Sequence, residues 1–288
     1  MSENRKCAVV GGGAMGRQIG LNTAIYGYTV AVCETFPAAR ESLEAWKEEY
    51  LAGRIAKGRM TAEQVEAVKA RFSVTGDLEE ACRDADIVIE AIIEDKDAKT
   101  DVLGKISRLV RPDTLIATNS SFMVSSTFAG AVEHPERLAN LHYFMPALVM
   151  KLVEVVKGPH TSQETVDALM EFARATGKTP VLVRKEEDGF IVNNILKVIK
   201  EEAYRLVSEG VCSVEDLDKA VELGLGHPMG PFKIDDMNGL DVRYNVLKRR
   251  LEETGVKSYG YEMIKEQYEK GRYGRKNGHG FYDYEPRA

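Results

Sequence analysis

Apolar residues in the first two-thirds of the chain occur in short runs that alternate with longer amphipathic stretches. Runs of this kind, rich in β-branched side chains, are typical of buried strands, whereas the stretches between them have helical spacing. The predicted strands are residues 6–10, 29–33, 86–91, 114–118, 138–144, 152–156 and 180–183. Strands that alternate with helices predict a mostly parallel sheet with helices packed against it.

The pattern changes after the seventh predicted strand. Strand signals cease there, and Val192, Ile195 and Ile199 follow the spacing of one helical face. We therefore predict an α/β domain at residues 1–184, followed by an all-helical domain at residues 185–288.

Glycine and proline interrupt the helical pattern in two places. Between the second and third predicted strands, residues 43–71 form a charged helical segment that Gly53 and Gly58 are expected to interrupt. Residues 224–232, "GLGHPMGPF", combine glycines that permit turns with prolines that cannot continue a helix. This second stretch predicts a rigid loop between helices, with His227 as a loop residue.

A glycine-rich sequence, "VVGGGAMGRQIG", follows the first predicted strand directly. Gly11, Gly13 and Gly16 have the G-x-G-x-x-G spacing of a dinucleotide-binding turn, in which Ala14 and Met15 complete the loop. The first glycine allows a tight turn, the second allows the backbone to approach a diphosphate, and the third allows close packing of helix on strand. The alternative is a glycine-rich turn in an unrelated sheet.

An acidic residue stands where such a turn requires one. Glu34 ends the second predicted strand, eighteen residues after Gly16. A carboxylate at that position accepts hydrogen bonds from the adenosine ribose and repels a 2′-phosphate. The sequence therefore predicts NAD rather than NADP as the cofactor.

Composition and charge exclude several other classes of function. A formal net charge of -6 provides no general attraction for nucleic acid. No run approaches the length of a membrane span, and nothing at the start resembles a signal peptide. The four cysteines lack C-x-x-C spacing, and no histidine or cysteine falls at metal-ligand spacing, so we expect no metal site and a reducing, cytoplasmic location.

Several separated motifs together resemble one enzyme family. They occur in the order and spacing of the 3-hydroxyacyl-CoA dehydrogenases, and especially of the short 3-hydroxybutyryl-CoA dehydrogenases. The motifs are "TNSS" (118–121), "LHYFMPALVMKLVEVV" (141–156), "DGFIVNNIL" (188–196), "LGLGHPMGPFKIDDMNGLD" (223–241) and "GRKNGHGFYDY" (274–284). The resemblance covers essentially the whole chain and implies a doubly wound Rossmann-type sheet, bound NAD, an acyl-CoA substrate, and a helical domain that mediates homodimerisation.

The resemblance also implies roles for four residues in catalysis. His142 matches the family's catalytic histidine and Glu154 its partner carboxylate, while Ser121 and Asn193 match groups near the substrate oxygen. An imidazole suits proton transfer near neutral pH, and a nearby carboxylate would fix its tautomer. The alternatives are a histidine buried in a core, a strand glutamate that faces solvent, a serine that caps a loop, and an asparagine that merely starts a helix.

Further matches concern the cofactor. Glu94, Lys99 and Lys276 match family contacts to NAD, and Asn119 and Ser121 lie in the motif that follows the fourth predicted strand. Glu94 and Lys99 have a simpler interpretation as a solvated pair at a helix start, and Lys276 as an exposed loop residue.

Departures from the family pattern concern the substrate. Met145 stands where relatives have an asparagine, so a flexible thioether replaces an amide, and Asn194 stands where many relatives have an arginine. Where relatives have a serine and a lysine for coenzyme A, this chain has Ala52 and Arg59. These changes leave two alternatives open: a dehydrogenase of the same fold that acts on another 3-hydroxy acid, and a non-catalytic NAD-binding protein.

Overall fold

The computed structural model describes residues 5–285, which form two compact units that divide between Ile191 and Val192. The first unit contains all the strands that have been assigned in the described residues, and the second is helical. This architecture confirms the predicted fold class, an α/β sheet followed by helices.

The first unit is built on one eight-stranded sheet. Its strands are β1 (Lys6–Val10), β2 (Thr29–Cys33), β3 (Phe72–Thr75), β4 (Ile87–Glu90), β5 (Leu115–Thr118), β6 (Leu138–Tyr143), β7 (Leu152–Val156) and β8 (Thr179–Val183). Their order across the sheet is β3-β2-β1-β4-β5-β6-β7-β8. Every neighbouring pair is parallel except β6 and β7, which run antiparallel.

The sequence did not reveal strand β3. This edge strand has four residues, "FSVT", of which only Phe72 is buried. A run so short, with polar residues at alternate positions, gives little periodicity against the helix that precedes it. The predicted sheet therefore lacked the edge strand that lies beside β2.

Seven helices and one 3-10 turn belong to this unit. The helices are α1 (Gly16–Ile25), α2 (Pro37–Ala56), α3 (Ala62–Ala70), α4 (Leu78–Cys82), α5 (Lys96–Leu109), α6 (Ser126–Ala129) and α7 (Gln163–Ala175), and the 3-10 turn is Pro135–Arg137. Gly53 lies inside α2, so the prediction that it interrupts the charged segment was wrong. Gly58, with φ of 61°, does lie in the break, and Thr61 then caps α3 through a reciprocal hydrogen-bond pair with Gln64.

Both faces of the sheet are buried. Along β1, Cys7 and Val9 belong to one apolar cluster, whereas Ala8 and Val10 belong to a second cluster on the opposite face. Alternating side chains point to opposite faces of a strand, so a run that is apolar at every position requires cover on both sides. Burial on both faces leaves the loops at the strand ends as the accessible part of the sheet.

The second unit consists of α8 (Val192–Ser208), α9 (Val214–Leu225), α10 (Pro231–Asn238), α11 (Leu240–Thr254) and α12 (Tyr261–Glu269). The rings of Tyr204, Phe232 and Phe281 meet edge to face or tilted at its centre. The predicted loop at residues 224–232 is shorter than expected, because Pro231 begins α10. Proline is well tolerated in the first helical turn, where its missing N–H has no partner to lose.

The three glycines of the G-x-G-x-x-G turn differ in what they do for the fold. A Cβ on Gly16 would lie 1.8 Å from the Gly11 carbonyl oxygen, whereas no described heavy atom lies within 4 Å of a Cβ on Gly13. Gly11 itself has φ of 106°, and its Cβ would lie 2.6 Å from the Ala91 carbonyl oxygen. The fold therefore requires Gly11 and Gly16, while Gly13 is free to serve a ligand.

We expect Gly16→Ala to destabilise the protein by about 1–3 kcal/mol, because the helix must move away from the strand. The matched variant Gly13→Ala keeps the melting temperature of the ligand-free protein but weakens NADH binding, because its methyl group occupies the approach to the diphosphate. Differential scanning fluorimetry and NADH fluorescence titration measure the two effects. Equal melting temperatures for the two variants would contradict the assignment of Gly16 to the fold and of Gly13 to the ligand.

Candidate active site

The loops that carry the candidate residues lie at one edge of the sheet. The carboxyl ends of parallel strands meet at the same edge, so the segments after β1, β2, β4 and β5 are neighbours. Strand β6 lies beside β5, with Thr118 paired to Asn140, and this register brings the segment after β5 alongside the end of β6. His142 is the penultimate residue of β6.

His142 and Glu154 face one another across the antiparallel pair of β6 and β7, where they are register partners. The imidazole Nδ1 lies 2.8 Å from Glu154 Oε2, and the two side chains are only 4% and 1% exposed. An ionised carboxylate only accepts hydrogen bonds, so this contact places the ring proton on Nδ1 and the lone pair on Nε2. The second oxygen of Glu154 accepts a hydrogen bond from the Ile191 amide at 3.1 Å.

Ser121 contacts the other ring nitrogen. Its hydroxyl oxygen lies 3.0 Å from His142 Nε2, in the segment directly after β5. The hydroxyl can donate to Nε2 while that nitrogen is unprotonated, and it can accept from it afterwards. Ser121, His142 and Glu154 thus form one continuous line of hydrogen bonds.

Two phenylalanines pack around the imidazole. The ring centroids of Phe144 and Phe190 lie 4.6 and 5.2 Å from that of His142. Phe190 has φ of 54°, a left-handed conformation that costs a non-glycine residue about 1–2 kcal/mol. Phe190 was not singled out from the sequence, because an aromatic residue in an apolar stretch is ordinarily core.

The loop with the G-x-G-x-x-G spacing, residues 11–16, turns from β1 into α1. Gly13 and Ala14 are exposed, and α1 begins at Gly16, so the loop presents the first amides of the helix, which have no intrahelical acceptor. Glu34 lies beside the loop and accepts hydrogen bonds from the Gly12 amide at 2.9 Å and the Phe36 amide at 3.1 Å. The residues present therefore fit a dinucleotide, with free amides for a diphosphate and a carboxylate for a ribose.

Glu94 and Lys99 belong to a larger hydrogen-bonded network. Lys99 is buried and forms ion pairs with Glu90 at 2.7 Å and with Glu94 at 3.3 Å. Thr118 donates its hydroxyl to Glu90, at the end of the neighbouring strand. The simpler interpretation of a solvated pair therefore fails for Lys99. Glu90 was missed, although a glutamate that ends a wholly apolar strand is a signal, since an unpaired buried carboxylate is costly.

Asn119 and Met145 follow β5 and β6 at the same edge of the sheet. The Asn119 side-chain oxygen accepts a hydrogen bond from the Tyr143 amide at 2.9 Å, which ties the segment after β5 to β6. Met145 is half-exposed, and its sulfur accepts a hydrogen bond from the Gln18 amide nitrogen at 3.2 Å. Gln18 was not predicted as a site residue, because a single polar residue on α1 carries no distinctive pattern.

Arg59 lies in the turn between α2 and α3, at a cavity of about 280 Å³. Arg54, Arg71 and Gln64 also line this cavity, so several cationic groups surround one opening. A cluster of guanidinium groups suits phosphate recognition.

Asn193 and Lys276 belong to the helical unit. Asn193 is half-buried in the first turn of α8, and Lys276 forms an ion pair with Asp241 at the start of α11. Their roles beside substrate and cofactor stay predictions.

Other groups are poor candidates for the chemistry. Burial raises the pKa of Cys33 to about 11 and that of Cys82 to about 12, so both remain thiols near neutral pH. Burial also raises the pKa of Tyr143, whose side chain lies on the opposite face of β6 from His142, so its phenol stays protonated near neutral pH. Between residues 5 and 285 no group of histidine, cysteine or acidic residues could hold a metal ion, and no helix is long and apolar enough to cross a membrane.

Comparison with known proteins identifies both units. Residues 6–187 match the family model of the 3-hydroxyacyl-CoA dehydrogenase NAD-binding domain, and residues 189–284 match that of the family's C-terminal domain. Together these matches cover nearly the whole chain.

Individual relatives agree with the family models. The chain is 37% identical to a probable 3-hydroxybutyryl-CoA dehydrogenase from Bacillus subtilis, over 99% of each chain. Among solved structures it resembles (S)-3-hydroxybutyryl-CoA dehydrogenase from Ralstonia eutropha, with a TM-score of 0.88, 32% identity, and coverage of 98% and 99%. A diketoreductase described for catalysis on dicarbonyl compounds matches with a TM-score of 0.89 and 30% identity, over 99% of this chain and all of the other. This chain therefore belongs to the 3-hydroxyacyl-CoA dehydrogenase family of NAD-dependent oxidoreductases.

Proposed function

We propose that the protein interconverts a short-chain L-3-hydroxyacyl-CoA and the corresponding 3-ketoacyl-CoA. The first substrate that we propose is 3-hydroxybutyryl-CoA. The observation that carries this conclusion is the line of hydrogen bonds from Ser121 through His142 to Glu154, at the strand ends of an NAD-binding domain. A secondary alcohol is oxidised by removal of one hydride and one proton, and this line can move the proton.

His142 is the proposed acid and base. In the oxidation direction Nε2 takes the substrate's hydroxyl proton, and the resulting imidazolium is stabilised by Glu154 at Nδ1. Ser121, already in contact with Nε2, donates its hydroxyl to the substrate oxygen, and Asn193 is proposed to donate its carboxamide to the same oxygen. In the reverse direction the imidazolium returns the proton to the forming alkoxide.

NAD is the proposed cofactor, and when bound it accepts the hydride from the carbinol carbon. The amides of the loop at Gly13, Ala14, Met15 and Gly16 would bind its diphosphate, and Gly11, whose amide donates to the Cys33 carbonyl oxygen at 2.8 Å, would shape the turn beneath it. The Glu34 carboxylate still has lone pairs for ribose hydroxyls after it accepts two backbone amides.

The remaining cofactor assignments are proposed from the resemblance. Asn119 and Ser121 follow β5, Glu94 follows β4, and Lys276 lies in the helical unit.

Coenzyme A is the proposed carrier of the acyl group. Arg59, with Arg54 and Arg71 at the same cavity, supplies positive charge for a phosphate-bearing substrate, although Ala52 offers no side-chain hydrogen bond. Ile93, Phe122 and Met145 are exposed apolar side chains after β4, β5 and β6, and they offer a surface for a short acyl chain.

A second candidate is reduction of a dicarbonyl compound or a 3-oxo acid that carries no coenzyme A. Two observations favour it: a diketoreductase is among the similar structures, and Met145 replaces an amide with a thioether. Proton transfer by His142 is the same in both candidates, so only the substrate distinguishes them.

We further propose a homodimer formed through the helical unit. Large apolar side chains are exposed at one-turn spacing on its helices, with Ile195 and Val198 on α8, and Val242 and Val246 on α11. Exposed apolar side chains that recur along one face of a helix are typical of protein interfaces.

We expect the protein to oxidise NADH, and NADPH far more slowly, when acetoacetyl-CoA is added. His142→Ala should reduce kcat about 10²–10⁴-fold, because it removes the proton carrier, and should leave NADH affinity unchanged. Turnover is measured as the loss of the nicotinamide absorbance of NADH. His134→Ala, at an exposed histidine just before the 3-10 turn, is the control, and near-normal turnover in the His142 variant would exclude His142 as the acid and base.

The double variant Arg54→Ala/Arg59→Ala should separate the two substrate candidates. If coenzyme A binds at these arginines, KM for acetoacetyl-CoA rises about tenfold or more, because each lost charge-assisted hydrogen bond is worth about 1.5–3 kcal/mol. KM for a free 3-oxo ester or diketone stays unchanged. Higher kcat/KM on free dicarbonyl compounds in the wild-type enzyme would favour the second candidate.

In solution we expect a particle of about twice the chain mass of 32.0 kDa. Val198→Glu on α8 should shift it to the monomer, because a charge cannot be buried unpaired in an apolar interface. Ile55→Glu, at an exposed apolar position on α2, is the matched control. A monomeric wild-type protein in sedimentation equilibrium at micromolar concentration would contradict the proposal.

A further inference from the structure

An ion pair with almost no solvent exposure lies behind the site. Glu90 is 0% exposed and Lys99 is 1% exposed, and their charged atoms lie 2.7 Å apart. Glu90 also accepts hydrogen bonds from the Thr118 hydroxyl at 2.6 Å and the Ile92 amide at 2.7 Å. Removing two charges from water is costly unless they are paired and fully hydrogen-bonded, as here.

The same ammonium group approaches a second carboxylate. Lys99 Nζ lies 3.3 Å from Glu94 Oε2, and the Glu94 side chain is 40% exposed. The Lys99 ammonium therefore pairs with two carboxylates. Of the two, only Glu94 is exposed to solvent.

Glu94 in turn holds the segment that contains the proposed catalytic serine. Its Oε1 atom accepts hydrogen bonds from the Ser120 hydroxyl, the Ser121 amide at 3.1 Å and the Phe122 amide at 3.3 Å. The Ser120 hydroxyl oxygen also accepts from the Met123 amide at 3.0 Å, which closes the turn. The position of the Ser121 hydroxyl against His142 Nε2 thus depends on where the Glu94 carboxylate stands.

We propose that Lys99 and Glu90 are positioning residues for the proton-transfer site, and that Lys99 acts through Glu94 rather than by contact with the cofactor. This inference rests on the proposed function, because it concerns how Ser121 is held for that reaction. Lys99 is almost fully enclosed by protein, and its ammonium is already bonded to Glu90, Glu94 and the Ile92 carbonyl oxygen. Glu90 holds Lys99 in place, and Lys99 holds Glu94.

The reason for a cation at this point is electrostatic. Without Lys99, Glu94 would lose the cation that offsets the cost of keeping its charge partly buried, and the Glu90 carboxylate would repel it as well. Glu90 is enclosed, so Glu94 would turn out into solvent. The Ser120 hydroxyl and two backbone amides would then lose their acceptor, and Ser121 would no longer be held against the imidazole.

The test compares Lys99→Met with the double variant Glu90→Gln/Lys99→Met. The single variant should lose stability and about 10–100-fold in kcat, because misplacement of a catalytic group by about 1 Å costs this much. The double variant removes the uncompensated buried charge and should recover the melting temperature, but kcat should remain low because Glu94 still lacks its cation. NADH affinity, measured by fluorescence titration, should fall no further in either variant than in Glu94→Ala, because only the Glu94 contact is lost.

Hydrogen–deuterium exchange gives a readout that does not depend on turnover. In ligand-free Lys99→Met and in the double variant, the Ser121 and Phe122 amides should exchange faster than in the wild type. Lys96→Met, an exposed lysine at the start of the same helix, should change neither exchange nor kcat. Glu94→Gln, which keeps an acceptor oxygen, should retain more activity than Glu94→Ala.

Two results would overturn the inference. Wild-type kcat and exchange in the double variant would mean that Lys99 serves only Glu90. A large loss of NADH affinity with unchanged kcat at saturating NADH would mean direct contact with the cofactor. If the wild-type enzyme fails on acetoacetyl-CoA, the proposed substrate is wrong, whereas the exchange of Ser121 and Phe122 still decides the role of Lys99.

Discussion

The buried carboxylate of Glu154 is the constraint on which the site depends. A glutamate that is 1% exposed needs a partner for its charge, and the antiparallel register of β6 and β7 gives it the His142 imidazole. A slip of one residue between these strands would turn Glu154 to the other face of the sheet and leave both groups unpaired. The antiparallel register of β6 and β7, within an otherwise parallel sheet, is therefore what places Glu154 beside His142 near the end of β6.

The other carboxylates at this edge are satisfied in the same way, by groups that leave them little freedom. Glu34 accepts two backbone amides, Glu90 pairs with Lys99, and Glu94 accepts the amides of the Ser121 turn. Two of these contacts link segments that follow neighbouring strands: Glu34 after β2 accepts from the loop after β1, and Glu94 after β4 accepts from the segment after β5. Hydrogen bonds between loops therefore connect this edge of the sheet.

This arrangement divides the chemistry among different kinds of groups. In the proposed function, neutral amides at the start of α1 bind a diphosphate, His142 moves the proton, and arginines around the turn between α2 and α3 bind a phosphate-bearing carrier. The surface proposed for the acyl chain differs from these, because exposed apolar side chains at Phe122 and Met145 form it. Under the proposed function, substrate choice therefore depends on the carrier site more than on this apolar surface.

Local patterns in the sequence were sufficient for the order of strands and helices, the change to an all-helical second part, and the glycines that the turn after β1 requires. These follow from short-range rules, since apolar period, turn residues and helix caps act within a few residues. The same rules failed at β3, which is too short to show a period, and at Gly53, which a long helix tolerates at modest cost. They also misplaced the start of α10, because proline can begin a helix as readily as it can end one.

Only the tertiary structure decided which polar residues meet. His142 and Glu154 are twelve residues apart, but Ser121 reaches the imidazole only because β5 lies beside β6, and Lys99 reaches Glu90 because α5 folds back along β4. Whether a lysine is solvated or enclosed is not a property of its neighbours in sequence; it depends on what packs over it. The sequence determined which groups were present and in what elements, and the register of the sheet determined which of them share a proton or a charge.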